Sequence, residues 1–143
     1  MSGPLFIDTC IPMYAGGRES PLREPCRRVL ELVAGGEVVG VIDTEVLQEI
    51  LHRFGRMGEF STGADMAAQL MIIVAEVLPV TMEDMRLSIT LFLNYGPKGL
   101  KARDSVHCAV MLNNGIERIV SVDKHFDLVP GIERVDPREL WGK

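Results

Sequence analysis

Short apolar runs alternate with amphipathic stretches along this chain, and that alternation is the strongest constraint on its fold. The runs are Leu5-Phe6-Ile7, then residues 38–42, 77–80, 119–122 and 132–135. They are short, bounded and rich in β-branched residues, so they read as strands buried on both faces. Between them, apolar residues recur at helical spacing. Ser20-Pro21 reads as an N-cap and first helical residue, with Leu22, Cys26, Val29, Leu30 and Val33 on one side and Gly35-Gly36 as the stop. Asp43 or Thr44 caps a helix whose apolar face is Val46, Leu47, Ile50, Leu51 and Phe54. A break over 55–63 leads into a helix over about 62–75. Thr81 with Asp84 approximates a capping box and opens a helix to about Leu93. Residues 94–99 read as a loop, 104–113 as a helix and 124–127 as a turn or short helix. The alternation predicts an α/β chain, with helices on both faces of a mainly parallel sheet.

Composition narrows the field. At 143 residues the chain suits one domain, 1–143, with no repeat or linker in it. Hydrophobic residues at 47% and charged residues at 24% exclude a disordered chain. Fifteen basic and twenty acidic residues give a net charge of −5. That argues against a surface that wraps nucleic acid on all sides and leaves room for a local basic patch. Cys10, Cys26 and Cys108 are odd in number and form no C-x-x-C, which excludes a zinc ribbon and disfavours a disulfide scaffold. The start, Met1-Ser2-Gly3-Pro4, lacks the charged and apolar regions of a signal peptide. The most apolar run, 66–75, contains Gln69 and falls short of the roughly 20 residues needed to span a bilayer. A cytoplasmic protein with reduced thiols and no membrane contact is the expectation.

Ligands of parallel sheets bind outside the carboxyl ends of the strands. Asp8 directly follows the first strand and Asp123 the strand over 119–122. Asp104 opens a helix, where the helix dipole favours an anion. A further carboxylate comes from Glu45 or Glu49. At about 100° per residue, Glu45 projects opposite the apolar face while Glu49 sits at its rim, so Glu49 is preferred for a cleft. Each of these residues also has a plainer role, as an N-cap, a turn residue or a solvated side chain. Taken together, several carboxylates at one end of one sheet repel one another unless a cation joins them. An all-oxygen set suits Mg²⁺ or Mn²⁺, one or two ions, and permits metal-assisted hydrolysis.

Other chemistries fit less well. A phosphatase-type D-x-D-x-T is broken by Cys10 at its second aspartate, and no phosphate-binding glycine loop or H-E-x-x-H occurs. His107, three residues after Asp104, reads as a structural or rim histidine rather than a ligand. Arg53, Lys98, Lys101, Arg103 and Lys124 fall near the expected rim and could hold an RNA backbone.

The segments Leu5-Phe6-Ile7-Asp8-Thr9, Glu49-Ile50-Leu51, Arg103-Asp104-Ser105 and Ser121-Val122-Asp123-Lys124-His125-Phe126-Asp127 together resemble the acidic motifs of PIN-domain ribonucleases, closest to the VapC-like toxins of prokaryotic toxin–antitoxin pairs. The resemblance covers nearly the whole chain in order and spacing. It implies a PIN-like three-layer α/β/α sandwich and a Mg²⁺- or Mn²⁺-dependent endoribonuclease, often a homodimer, restrained by a cognate antitoxin. It also implies that Asp8, Glu49, Asp104 and Asp123 form the acidic quartet and that Asp127 is an added acidic position, acting through water or holding Lys124. Thr9 and Ser121 would be hydroxyls beside the site. A binding module of the same fold that lacks turnover, serving RNA or protein recognition, is the alternative.

Overall fold

A computed structural model describes residues 3–140. The Met1-Ser2 start and the last residues of the 1–143 span lie outside the described residues. Five strands, β1 (Leu5–Ile7), β2 (Gly40–Asp43), β3 (Glu76–Leu78), β4 (Arg118–Val120) and β5 (Glu133–Val135), pair in the order β3-β2-β1-β4-β5. Every pairing is parallel, with Phe6 opposite Val41 on one side and Ile119 on the other. The helices are α1 (Cys10–Ala15), α2 (Arg23–Ala34), α3 (Thr44–Arg56), α4 (Phe60–Ile73), α5 (Met82–Tyr95), α6 (Ala102–Asn113) and α7 (Pro137–Leu140). The expected three-layer α/β/α sandwich is what forms. Among the described residues, no helix is long and apolar enough to cross a membrane.

Connectivity explains where a site can open. From β1 the chain steps outward to β2 and β3, then crosses back through α5 and α6 to β4 on the other side of β1. Right-handed crossovers in opposite directions put their helices on opposite faces. Accordingly α1 packs on α2, α2 on α4 and α3 on α4, while α5 and α6 pack on each other. The strand order reverses between β1 and β4, and the crevice at such a switch point is where α/β sheets bind ligands. Leu5, Phe6, Ile7, Ile42 and Ile119 are fully buried in the strands at the centre of the core.

Several boundaries move relative to the expectation, each for a local reason. The strand predicted over 38–42 begins at Gly40, because Glu37 and Val38 still donate to the Leu32 carbonyl in the turn after α2. Gly40 is required there: a Cβ would lie 2.8 Å from both Ile7 Cδ1 and Val33 Cγ1. Helix α2 starts at Arg23, not at Pro21, since the Ser20 hydroxyl accepts the Leu22 N–H at 3.3 Å and makes a turn of its own. Strand β4 ends at Val120, so Asp123 stands on the loop beyond the strand and does not directly follow it. Thr81 and Asp84 form a complete capping box. Helices α1 and α7 are additions that the periodicity did not reveal.

Candidate metal-binding active site

Asp8 leaves β1 at the switch point and is held on both oxygens. Its Oδ1 accepts the Thr9 N–H at 2.8 Å, and its Oδ2 accepts the Ser121 hydroxyl at 2.6 Å. Ser121 Oγ also accepts the Asp123 N–H at 3.0 Å, so this one buried hydroxyl ties the ends of β1 and β4 together. The Thr9 hydroxyl is buried and has no partner. Asp104 enters from the first turn of α6 and is 5% exposed. Burial, and then the Asp8 charge, push its carboxyl up to about 7. The charge of nearby His107 works the other way without offsetting this.

Glu49 comes from the middle of α3 and is also buried. Its two oxygens have different surroundings. Oε2 forms ion pairs with Arg103 Nε at 2.7 Å and Arg53 Nη2 at 3.3 Å. Oε1 points inward, has no hydrogen-bond partner and lies 4.0 Å from Nε2 of His107. Glu45 lines a neighbouring, largely apolar groove, which Glu49 and Arg103 also border, and does not line the acidic cavity. Asp123 sits at the mouth. Its Oδ1 accepts both the backbone and ring N–H of His125, at 2.9 and 2.8 Å, and Lys101 Nζ approaches Oδ2 at 3.5 Å. Although burial works to raise it, the His125 hydrogen bond and the Lys101 charge hold this carboxyl below its ordinary range.

His107 lies one helical turn beyond Asp104 and is completely buried, so it is no rim residue. Its Nδ1 is 2.8 Å from Oδ2 of Asp43, which is itself fully buried and caps α3 through its other oxygen. Burial works to lower the imidazole, but the Asp43 charge and hydrogen bond, with Asp8 and Asp104 beyond, raise it to about 9. One donor atom each from Asp8, Asp104 and His107 lie within 4.8 Å of one another.

In front of the buried His107 and Asp43, a cavity of about 570 Å³ opens to the surface. Asp8, Glu49, Asp104 and Asp123 line it together, with Arg53, Lys101 and Arg103 at its edge. His125, on the loop after Asp123, lines it as well; so do Arg18, Tyr14 and Met13, whose part sequence reasoning missed. Met13 and Tyr14 belong to α1, and Arg18 follows the Gly16-Gly17 turn, so no periodicity flagged them. Lys98 and Lys124 stand outside this lining. Asp127 holds neither the cavity nor Lys124. Both its oxygens are taken by Arg134, at 3.1 and 3.4 Å, and Arg134 in turn donates to the Ser121 carbonyl at 3.1 Å. Asp127 thus braces the loop that carries Ser121. Cys10 lines the cavity too, but burial and the Asp8 charge raise its thiol and keep it protonated, so it makes a poor nucleophile.

Donor atoms of two buried carboxylates and a buried imidazole lie within 4.8 Å of one another at the switch point of a parallel sheet, and an unpartnered carboxylate oxygen lies 4.0 Å from the unpartnered ring nitrogen. Such a donor set fits a divalent cation. The chain belongs to the PIN domain family, whose pattern matches residues 5–132. It is 37% identical over 132 residues to ribonuclease VapC13 of Mycobacterium tuberculosis, covering 92% of this chain and 98% of that protein. Among solved structures, the sarcin-ricin-loop-cleaving toxin VapC20 of Mycobacterium tuberculosis is 21% identical, with a TM-score of 0.72 over 87% of this chain and 93% of its own. VapBC2 of Rickettsia felis, bound to a promoter DNA fragment, is 16% identical, with a TM-score of 0.72 over 93% and 98% of the two chains.

Proposed function

We propose that this chain is a metal-dependent endoribonuclease, the toxin of a toxin–antitoxin pair, cleaving RNA phosphodiester bonds with Mg²⁺ or Mn²⁺. The observation that carries this reading is the convergence of Asp8, Asp104 and the inward oxygen of Glu49 beneath a cationic rim. The VapC names of the relatives support the toxin role. All four acidic positions are filled, so nothing favours the inactive binding module.

Asp8 and Asp104 are the groups that would hold the ion. When bound, a divalent ion lowers the pKa of an attacking water and offsets charge on the phosphate oxygens. Ser121 fixes Asp8 so that no carboxylate rotation is needed at the moment of reaction. Glu49 would hold the ion or orient the attacking water through Oε1, while Arg103 and Arg53 hold Oε2 and face the incoming phosphate. Asp123 binds at the mouth, directly or through water, and positions Lys101. Arg18, Arg53, Lys101 and Arg103 draw in the RNA backbone, and Lys124 assists from outside the cavity.

Partners follow the same reading. Met82, Ile89 and Leu93 expose most of their surface on α5, and with Phe92 they form an apolar face beside the groove that Glu49 and Arg103 share. A second copy of the chain would cover that face and make a homodimer. A cognate antitoxin would restrain the enzyme in the cytoplasm. The test is cleavage of single-stranded and structured RNA in EDTA, Mg²⁺ and Mn²⁺, with Asp8→Asn and Asp104→Asn alongside. Cleavage that needs the ion and is lost in both variants is expected. Cleavage in EDTA that survives both substitutions would refute the reading.

A further inference from the structure

We infer that His107 is a direct nitrogen ligand of the divalent ion, held by Asp43 behind it, so that the site is not purely carboxylate. This deepens the proposed metal-dependent reading and rests on it. Three independent features of the geometry carry it.

The first is the unpartnered nitrogen. His107 is wholly buried, and its Nε2 has no hydrogen-bond partner. A polar atom buried without a partner keeps its full desolvation cost until something binds it. The second is what Nε2 faces. Glu49 Oε1, equally orphaned, is 4.0 Å away, too far for a hydrogen bond and close to twice a metal–ligand bond of about 2.1 Å. Donor atoms of Asp8 and Asp104 lie within 4.8 Å of the ring donor and of each other. The third is the group behind the ring. Metal-ligating histidines donate their other ring N–H to a carboxylate, which fixes the tautomer and ring plane. Here Asp43 Oδ2 receives Nδ1 at 2.8 Å, and Asp43 is itself anchored by the Val46 N–H at 3.0 Å. Phe6 packs against the ring with centroids 5.3 Å apart. The imidazole is therefore locked with Nε2 toward the acids. Ligation places the ion where Nε2 would otherwise carry a proton.

A nitrogen donor has a chemical consequence. Imidazole suits transition ions, whereas Mg²⁺ prefers all-oxygen surroundings. The site should select Mn²⁺ over Mg²⁺.

The direct test is pulsed electron paramagnetic resonance on the full chain loaded with substoichiometric Mn²⁺. A directly coordinated ¹⁴N coupling is expected, replaced by a ¹⁵N pattern when histidine alone is ¹⁵N-labelled. That exchange needs no variant and so does not depend on a substituted core folding. The coupling should persist in His52→Gln and His125→Gln and vanish in His107→Gln. Asp43→Asn, which can still cap α3, should weaken Mn²⁺ binding about tenfold by calorimetry and Mg²⁺ binding less. Bound Mn²⁺ with no directly coordinated nitrogen would overturn this inference and leave the ribonuclease reading standing, with a water satisfying Nε2. A coupling that disappears in His125→Gln would also overturn it. Failure of Mn²⁺ to bind at all would overturn both.

Discussion

Without its ion, the chain carries a destabilised carboxylate at Asp104, and replacing it should make the metal-free protein more stable. Burial and the Asp8 charge raise this group from 3.8 to about 7. Below pH 4 it is protonated in the folded and unfolded chain alike and contributes no difference. Between those values the unfolded chain releases the proton while the folded chain keeps it, so stability falls as pH rises. Above pH 7 the loss is complete. A difference of about three pKa units at about 1.4 kcal/mol each amounts to about 4 kcal/mol. Asn has nearly the same shape and no charge. In EDTA at pH 8, Asp104→Asn should therefore melt higher than the unmodified chain, by roughly 15 °C at most for a chain of this size. At pH 5 the gap should be much smaller. Saturating Mn²⁺ should reverse the order, because only the intact site gains binding energy. Melting curves by circular dichroism at the two pH values, with EDTA or MnCl₂, give all four numbers. A variant less stable than the unmodified chain in EDTA at pH 8 would refute the claim that these acids repel one another in one pocket.

Three further outcomes are expected. Ser121→Ala leaves Asp8 Oδ2 and the Asp123 N–H without their shared partner, so stability should drop by about 1–3 kcal/mol and RNA cleavage should fall about tenfold, measured by denaturant melts and initial rates. Gly40→Ala places a methyl against Ile7 and Val33 and should cost about 1–3 kcal/mol, with cleavage by the remaining folded fraction unchanged. Arg18→Ala removes an exposed cation from the cavity edge, and should reduce the slope of log affinity against log salt by about 0.7 for single-stranded RNA. An unchanged slope would place Arg18 off the RNA path.

The layer architecture was legible in the sequence because burial on both faces leaves a strong mark. Leu5, Phe6 and Ile7 form an unbroken apolar run, and residues 119–120 repeat it at β4. The helical period of α3 also separated Glu49 from Glu45, since a rim position and a far-side position differ by angle alone. What escaped was decided by groups distant in sequence. The partner of Asp127 is Arg134 across a turn, not its neighbour Lys124. His107 reads as a core histidine until Asp43, sixty-four residues away, is seen at its Nδ1. Helix α1 is six residues long and contains Pro12, too short to show a period, so Tyr14 and the turn that presents Arg18 left no signal. Hydrogen bonds between strand ends have no periodicity to read, and Ser121 was foreseen only as a hydroxyl nearby.

The most direct trial of the account is a crystal of the protein soaked in MnCl₂, with anomalous diffraction recorded near the manganese edge. The account predicts a strong peak at the carboxyl ends of β1 and β4, bounded by Asp8 and Asp104, and no such peak in crystals of Asp104→Asn. A peak on some other face, or an equal peak in the variant, would contradict it.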